Sequence, residues 1–379
     1  MKDLSQNANA SAGVCEILFV GEAWGQHEED LSSRKKRPCS FVGASGFFLY
    51  QSLFSAGIVP SPPPLRWPGA LAMQELWDKL SPRIRLTNVF HQRPGPLGDA
   101  IEQLFSDGKS NDVCKDLPKF GPGLWLKADA RHHLARLEEE ILSLKPNLVV
   151  LLGRTALWAM AHSLDIGASR GNVILLPFGK ALPSYHPAAI FRRYSLLPVF
   201  QADMLKARME SQSPVFSRLR RTIWTNPSIE DLWLWWHLHG EHSSLLSIDI
   251  ETVRQTFVSE VGIAASPSQA LHIPFILEDK AVGKFSSFWP SEQEEVKAWM
   301  FVRHVCESQI PKIGQNILYD VQYLLKVMRI PLHFLQHDTM LQHHALFPGM
   351  EKGLGFLASI YCNEPQYKSL RRQSNKDNE

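Results

Sequence analysis

Two short apolar runs, each closed by a glycine, do most to limit what this chain becomes: Glu16 to Gly21 (EILFVG) and Leu148 to Gly153 (LVVLLG). A run of that length without polar alternation buries both of its faces, which is the situation of a strand inside a parallel sheet. The second run follows a helix-like stretch, Ala130 to Leu144. Gly46 to Ala56 has helical spacing, and Leu86 to Phe90 and Val173 to Leu176 predict two further strands. Strands alternating with helices build an α/β sandwich that binds its ligands in the loops at the strand ends. Ser61 to Pro64 and Gly95 to Gly123, rich in proline, glycine and polar residues, are expected as surface insertions.

With 379 residues the chain is long enough for two domains or three small ones. The apolar pattern lapses between Ala207 and Arg221 into a polar, basic stretch, which marks a hinge. Beyond it a second α/β unit is predicted: a strand at Thr222 to Thr225, a tryptophan-rich helix from Ser228 to His239, and strands at Leu245 to Thr252, Val258 to Ala265 and Ala270 to Pro274. A composition of 44% hydrophobic and 21% charged residues excludes a disordered chain, and a net charge of +2 excludes a uniformly basic coat while leaving nucleic acid open as a partner. No run of eighteen apolar residues occurs, so no membrane span is expected. The first apolar stretch, Ile17 to Val20, is too short for a signal-peptide core, and a cytoplasmic location is expected. The five cysteines are odd in number and form no CxxC pair, which suits buried reduced thiols.

Several loops carry residues suited to chemistry. The first strand runs into Gly21-Glu22-Ala23-Trp24-Gly25; later come Phe41-Val42-Gly43, Thr87-Asn88 and Tyr185-His186-Pro187. A GxxxG after a strand lacks the GxGxxG of dinucleotide sites, and each loop alone is an ordinary turn or core feature. Gly153-Arg154-Thr155 opens a helix, where free N–H groups and a Thr155 cap receive a phosphate or simply cap the helix. The basic run Arg34 to Arg37 and the pair Arg192 and Arg193 either track a DNA backbone or are solvated surface. Trp233, Trp235 and Trp236 are read as core rather than as a base-stacking platform.

Taken in order, GEAWGQHEED, RPCSFVGASGFFL, TNVFHQRP, LKPNLVVLLGRTAL and LPSYHPAAIFR resemble the uracil-DNA glycosylase superfamily, nearest to its family 4 type, over about Ile17 to Lys206. The resemblance implies a three-layer α/β/α domain over residues 13–210 that removes uracil from DNA. An enzyme acting on a base must draw it out of the stack and grip its hydrogen-bonding edge. By this resemblance Phe41 stacks on the uracil, Asn88 bonds its O4 and N3, and His186 faces O2 and stabilises charge on the leaving base. Glu22 positions water or sugar, and Gly21 and Gly25 admit the backbone of the nucleotide, with Arg154 and Thr155 at a DNA phosphate. The chain departs from family 4 at the iron–sulfur cysteines: Gln92 stands at one place, the N-terminal pair is missing, and only Cys114 lies near the fourth, so no cluster is expected. Trp24 replaces the usual proline of the first motif.

In Leu246 to Thr252 (LSIDIET), strand alternation puts Asp249 and Glu251 on one face, a hard-cation arrangement. Asn316 and Asp320 stand four apart, on one face of an expected helix. DIET, GQNILYD and HDTMLQHHALFPGMEKGLGFLASIY resemble the 3′–5′ exonuclease domain of family A DNA polymerases and the wider DEDD nucleases. This implies a ribonuclease H-like α/β domain over residues 222–379, after a linker at 211–221. It also implies Mg²⁺ or Mn²⁺ ions on Asp249, Glu251 and Asp320, with Asp338 outside the ligand set. The family's third motif is missing: Tyr361 is followed at its spacing by Pro365, and Tyr367 by Arg371. The expected domain is therefore incomplete, and the expected partners are DNA and a family A DNA polymerase, in trans or as a continuation, in a bacterial or phage setting. The combined expectation is a uracil-excising repair or replication protein fused to a partial exonuclease. Its alternatives are a DNA-binding or uracil-sensing module with weakened catalysis, and an exonuclease completed by a separate polymerase chain.

Overall fold

The computed structural model describes residues 15–95, 100–109, 112–279 and 284–362. They fall into two compact units, the first running to Phe216 and resuming at Gly355, the second spanning Ser217–Leu354.

In the first unit a five-stranded sheet has the order β2-β1-β5-β7-β6, from β1 (Ile17–Ala23), β2 (Ile84–Phe90), β5 (Leu148–Leu152), β6 (Ile174–Leu176) and β7 (Gly179–Ser184). All neighbours are parallel except β6 against β7. The apolar runs explain why the sheet is covered twice. Ile17, Phe19, Leu148 and Val150 enter one core, whereas Leu18, Val20, Val149 and Leu151 enter another on the opposite face. Alternate residues of one strand thus feed two helical layers, which makes three layers. The helices are α1 (Gln26–Lys35), α2 (Ala44–Ser55), α3 (Ala70–Asp78), α4 (His132–Leu144), α5 (Arg154–Ala161), α6 (Ile166–Ser169), α7 (Pro187–Arg192) and α8 (Leu197–Glu210). A short antiparallel pair joins β3 (Phe105–Ser106), inside the segment expected as a surface insertion, to β4 (Trp125–Leu126), just beyond it. That expectation is corrected: Ile101, Leu104, Phe105, Cys114 and Phe120 are buried in the second core, because their apolar area outweighs the proline and glycine between them.

The second unit carries a six-stranded mixed sheet, β15-β14-β9-β10-β11-β8. Its strands are β8 (Thr222–Trp224), β9 (Leu246–Val253), β10 (Phe257–Ser266), β11 (Gln269–Pro274), β14 (Lys312–Gly314) and β15 (Leu335–Asp338), with a separate hairpin of β12 (Ile276–Asp279) and β13 (Lys284–Ser287). Antiparallel pairing holds β9, β10 and β11 together, and parallel pairing adds β8, β14 and β15, giving the mixed sheet expected of a ribonuclease H-like domain. Its helices are α9 (Ile229–Trp235), α10 (Glu292–Glu307), α11 (Leu318–Gln322) and α12 (Thr339–Leu346). Trp235 and Trp236 are buried in this unit's core and Trp233 packs against it. The chain then enters α13 (Leu354–Tyr361), which from Gly355 belongs to the first unit and not, as expected, to the second. Pro365, Tyr367 and Arg371, weighed for the third nuclease motif, lie outside the described residues. No described helix is long and apolar enough to cross a membrane.

Candidate active site

In the first unit the strand ends converge on a cavity of about 690 Å³, and Glu22, Phe41, Asn88, Arg154, His186 and Gly25 all line it. Parallel pairing sets Gly21 of β1 opposite Asn88 of β2. A Cβ on Gly21 would lie 2.2 Å from Asn88 Oδ1 and 2.5 Å from Phe41 Cζ, so the glycine lets the amide and the ring approach each other. The rings of Phe41 and His186 lie 6.0 Å apart at 29°. Gly153, at φ +91°, has His186 Cβ only 3.0 Å from where its own Cβ would be.

Phe41 adopts φ +58°, a left-handed conformation that is uncommon for an aromatic residue and costs about 1–3 kcal/mol. Its surroundings hold it there. Trp77 Nε1 donates to Phe41 O at 2.9 Å and Trp67 Nε1 to Val42 O at 3.0 Å. Glu28 Oε1 accepts from Val42 N at 3.0 Å and Gly43 N at 3.1 Å. Four hydrogen bonds at about 1 kcal/mol each offset the strain. Asn88 is buried and donates from Nδ2 to Ser40 Oγ at 3.3 Å. Its backbone is fixed from α4, where Arg136 Nη2 donates to Asn88 O at 2.5 Å and Val89 O at 3.1 Å. Glu28, Ser40, Trp67, Trp77 and Arg136 were not visible as site residues in the sequence, since Ser40 acts on the Asn88 side chain and the others on backbone groups, all distant in the chain.

His186 is the N-cap of α7, with Pro187 in the first helical position, and its Nδ1 accepts from Ala188 N at 3.2 Å. An accepting Nδ1 leaves the proton on Nε2. Burial, then the nearby Arg192 cation, lower its pKa to about 4, so the ring is neutral at physiological pH. Glu22 is raised above the ordinary carboxylate range by burial, opposed by a hydrogen bond from Thr155. That bond corrects the expectation for Thr155. The residue is fully buried, the helix it opens has Gly153 at its N-cap with no side-chain bond, and the Thr155 hydroxyl donates to Glu22 Oε2 instead of capping the helix. Arg154 lies over the Phe120 ring at 4.6 Å and 3.7 Å from Glu102.

In the second unit Asp249 and Glu251 project to the exposed side of β9 while Ile248 and Ile250 are buried, as alternation requires. Asp320 is buried on α11 and its Oδ1 accepts from Ile250 N at 2.8 Å. Burial pushes its carboxyl up to about 7. Asn316 is not helical: it sits at φ +55° before α11 begins at Leu318, so it shares no helix face with Asp320. Asp338 accepts from the backbone N–H groups of Asn316, Ile317, Met340 and Leu341, which ties the starts of α11 and α12 together. Among the described residues, no group of three His, Cys, Asp or Glu side chains is gathered to hold a metal ion. In this conformation Asp320 Oδ1 is taken up by the Ile250 amide, although the charge of Asp249 still reaches the Asp320 carboxyl, so the expected Mg²⁺ or Mn²⁺ site on Asp249, Glu251 and Asp320 is not gathered as it stands.

Among solved structures the chain is similar to the EXD2 exonuclease domain, crystallised and soaked in Mg and GMP, at 17% identity over 38% of this chain and 71% of that one, with a TM-score of 0.23. No curated protein matches it. The family model of the uracil DNA glycosylase superfamily matches residues 11–210, the segment that contributes every residue of the cavity, and the chain belongs to that superfamily.

Proposed function

We propose that the first unit excises uracil from DNA by hydrolysis of the N-glycosidic bond. The observation that carries this reading is the meeting of an aromatic ring, a carboxamide and a neutral imidazole, Phe41, Asn88 and His186, at one cavity. A base drawn from the duplex stacks on the Phe41 ring. Asn88 has one Nδ2 hydrogen engaged by Ser40, and its remaining N–H and Oδ1 suit the O4 and N3–H of uracil. Cytosine presents an amine and a bare nitrogen at those places, which the same amide orientation opposes. Because Nδ1 of His186 is occupied, Nε2–H is the donor toward O2, where negative charge develops as the bond breaks. Glu22, oriented by Thr155, positions the attacking water or the sugar.

Release of free uracil from a uracil-containing oligonucleotide tests the reading. Asn88→Ala and His186→Ala should each slow release by about 10²-fold or more while the chain stays folded. No release by the wild type from any deaminated substrate ends it.

For the second unit we propose DNA binding without strand cleavage, favoured by the engagement of Asp320 with the Ile250 amide. Binding that weakens steeply with salt and persists in Asp249→Ala supports this, since phosphate contacts supply most non-specific affinity. Mg²⁺-dependent digestion from a 3′ end, abolished by Asp249→Ala, would replace it with the exonuclease reading. A DNA polymerase of family A remains the proposed partner, tested by co-purification.

A further inference from the structure

Away from the cavity the first unit buries an ionic cluster that the excision chemistry does not use. Arg170, Asp203 and Lys206 are all at most 3% exposed, as are Ser184 and Ser359. Arg170 grips the Asp203 carboxylate through Nε and Nη2, and Ser184 Oγ donates to Asp203 Oδ2 at 2.7 Å. From the other side, Arg170 Nη1 donates to Ser359 Oγ at 2.8 Å. Lys206 Nζ donates to Gly171 O at 2.8 Å, to Cys362 O at 2.6 Å and to Ser359 O. Two buried cations face one buried anion, and the Lys206 ammonium is solvated by carbonyl oxygens at the C-terminal end of α13, where the helix dipole is negative. Gly171, at φ +72°, permits this approach: a Cβ there would lie 2.7 Å from Ser359 O and 2.9 Å from Asp203 Oδ1.

The cluster ends at the loop that bears the imidazole. Ser184 is the last residue of β7, two positions before His186, and its carbonyl accepts from Gly153 N at 2.8 Å. Pro183 O accepts from Gly171 N at 2.9 Å. Ser184 is therefore held through its backbone by the glycine that abuts His186 and through its hydroxyl by Asp203. We infer that Ser359 of α13, acting through Arg170, Asp203 and Ser184, is a positioning residue for His186, so that a helix arriving after the whole second unit completes the base-excision site. This rests on the proposed role of His186.

Two variants of the full chain and two readouts test it. Ser359→Ala removes only the hydroxyl contact, and Arg170→Met removes the guanidinium. Both should raise backbone amide exchange over residues 184–189. Both should slow single-turnover uracil release, Ser359→Ala by about tenfold, with the Kd for uracil-containing DNA unchanged, since a small displacement of a reacting group acts on the chemical step. If Arg170→Met does not fold, Ser359→Ala decides. Unchanged exchange over 184–189 in the folded variants overturns the inference. Should the wild type release no uracil, the exchange measurement still decides whether Ser359 holds the His186 loop, and only the functional reading is lost.

Discussion

Gly21 and Phe41 are the residues where the site most restricts the sequence. A methyl group on Gly21 would overlap both Asn88 Oδ1 and the Phe41 ring, so Gly21→Ala should displace one of them and lower uracil release by on the order of 10²-fold. Release within twofold of wild type would show that neither group is where the chemistry needs it. The titration of two neighbours supplies a second prediction. His186, lowered to about 4 by burial, keeps its neutral form through the whole range above that, so kcat/KM should show no acid limb at the ordinary histidine value. Glu22 moves the opposite way, above the usual carboxylate range, and the acid limb should track its protonation. The pH profile of Glu22→Gln should then lose that limb. A limb centred near pH 6.5 that survives the substitution would assign it to another group.

At the scale of elements, the strands that were legible are those whose own residues carry the signal, an unbroken apolar run in β1 and β5 and apolar alternation in β9. The apolar runs that become β1 and β5 follow directly from having a core on each face. Strand β7 (GKALPS) was not legible, although it lies inside the sheet beside β5. Its glycine, lysine and proline read as loop, yet Lys180 is buried with Nζ on Glu210 O, and Pro183 still offers a carbonyl to Gly171. Those partners come from other elements, which local pattern does not report. The same holds for the Phe41 loop: the order of motifs pointed to Phe41, but the indoles and the carboxylate that hold its backbone lie on α1, on α3 and ahead of α3. Trp77→Phe keeps the apolar bulk and removes the donor to Phe41 O. It should cost about 1–2 kcal/mol of stability in denaturant titration and weaken binding of uracil-containing DNA, because the left-handed backbone is no longer held. Unaltered affinity would mean that Glu28 and Trp67 suffice.

For the whole molecule, the first unit combines a deep double core with histidines that cannot charge in place. His91, His133 and His186 are lowered to about 3, 4 and 4, each chiefly by burial, with the cation of Arg136 acting on the first two and Arg192 on the third. A histidine whose folded pKa lies below its unfolded value leaves stability intact above pH 6.5 and removes it as the pH falls from there toward the folded value, because the unfolded chain binds the proton first. Glu22 and Asp203, both raised by burial, oppose this with two protons against three. The first unit should therefore lose stability between pH 6.5 and 4, well before most carboxylates titrate. His133 offers the cleanest test: it is buried, its Nε2 has no hydrogen-bond partner, and its ring meets the edge of Phe90 at 5.7 Å. His133→Leu removes the proton site and the unpaired nitrogen together. By calorimetry, its advantage over wild type should be larger at pH 5 than at pH 7.5 by on the order of 1–2 kcal/mol, which is the linkage expected for a shift of this size. A gain that is the same at both pH values would mean that His133 contributes through packing alone, and that the acid sensitivity resides elsewhere in the unit.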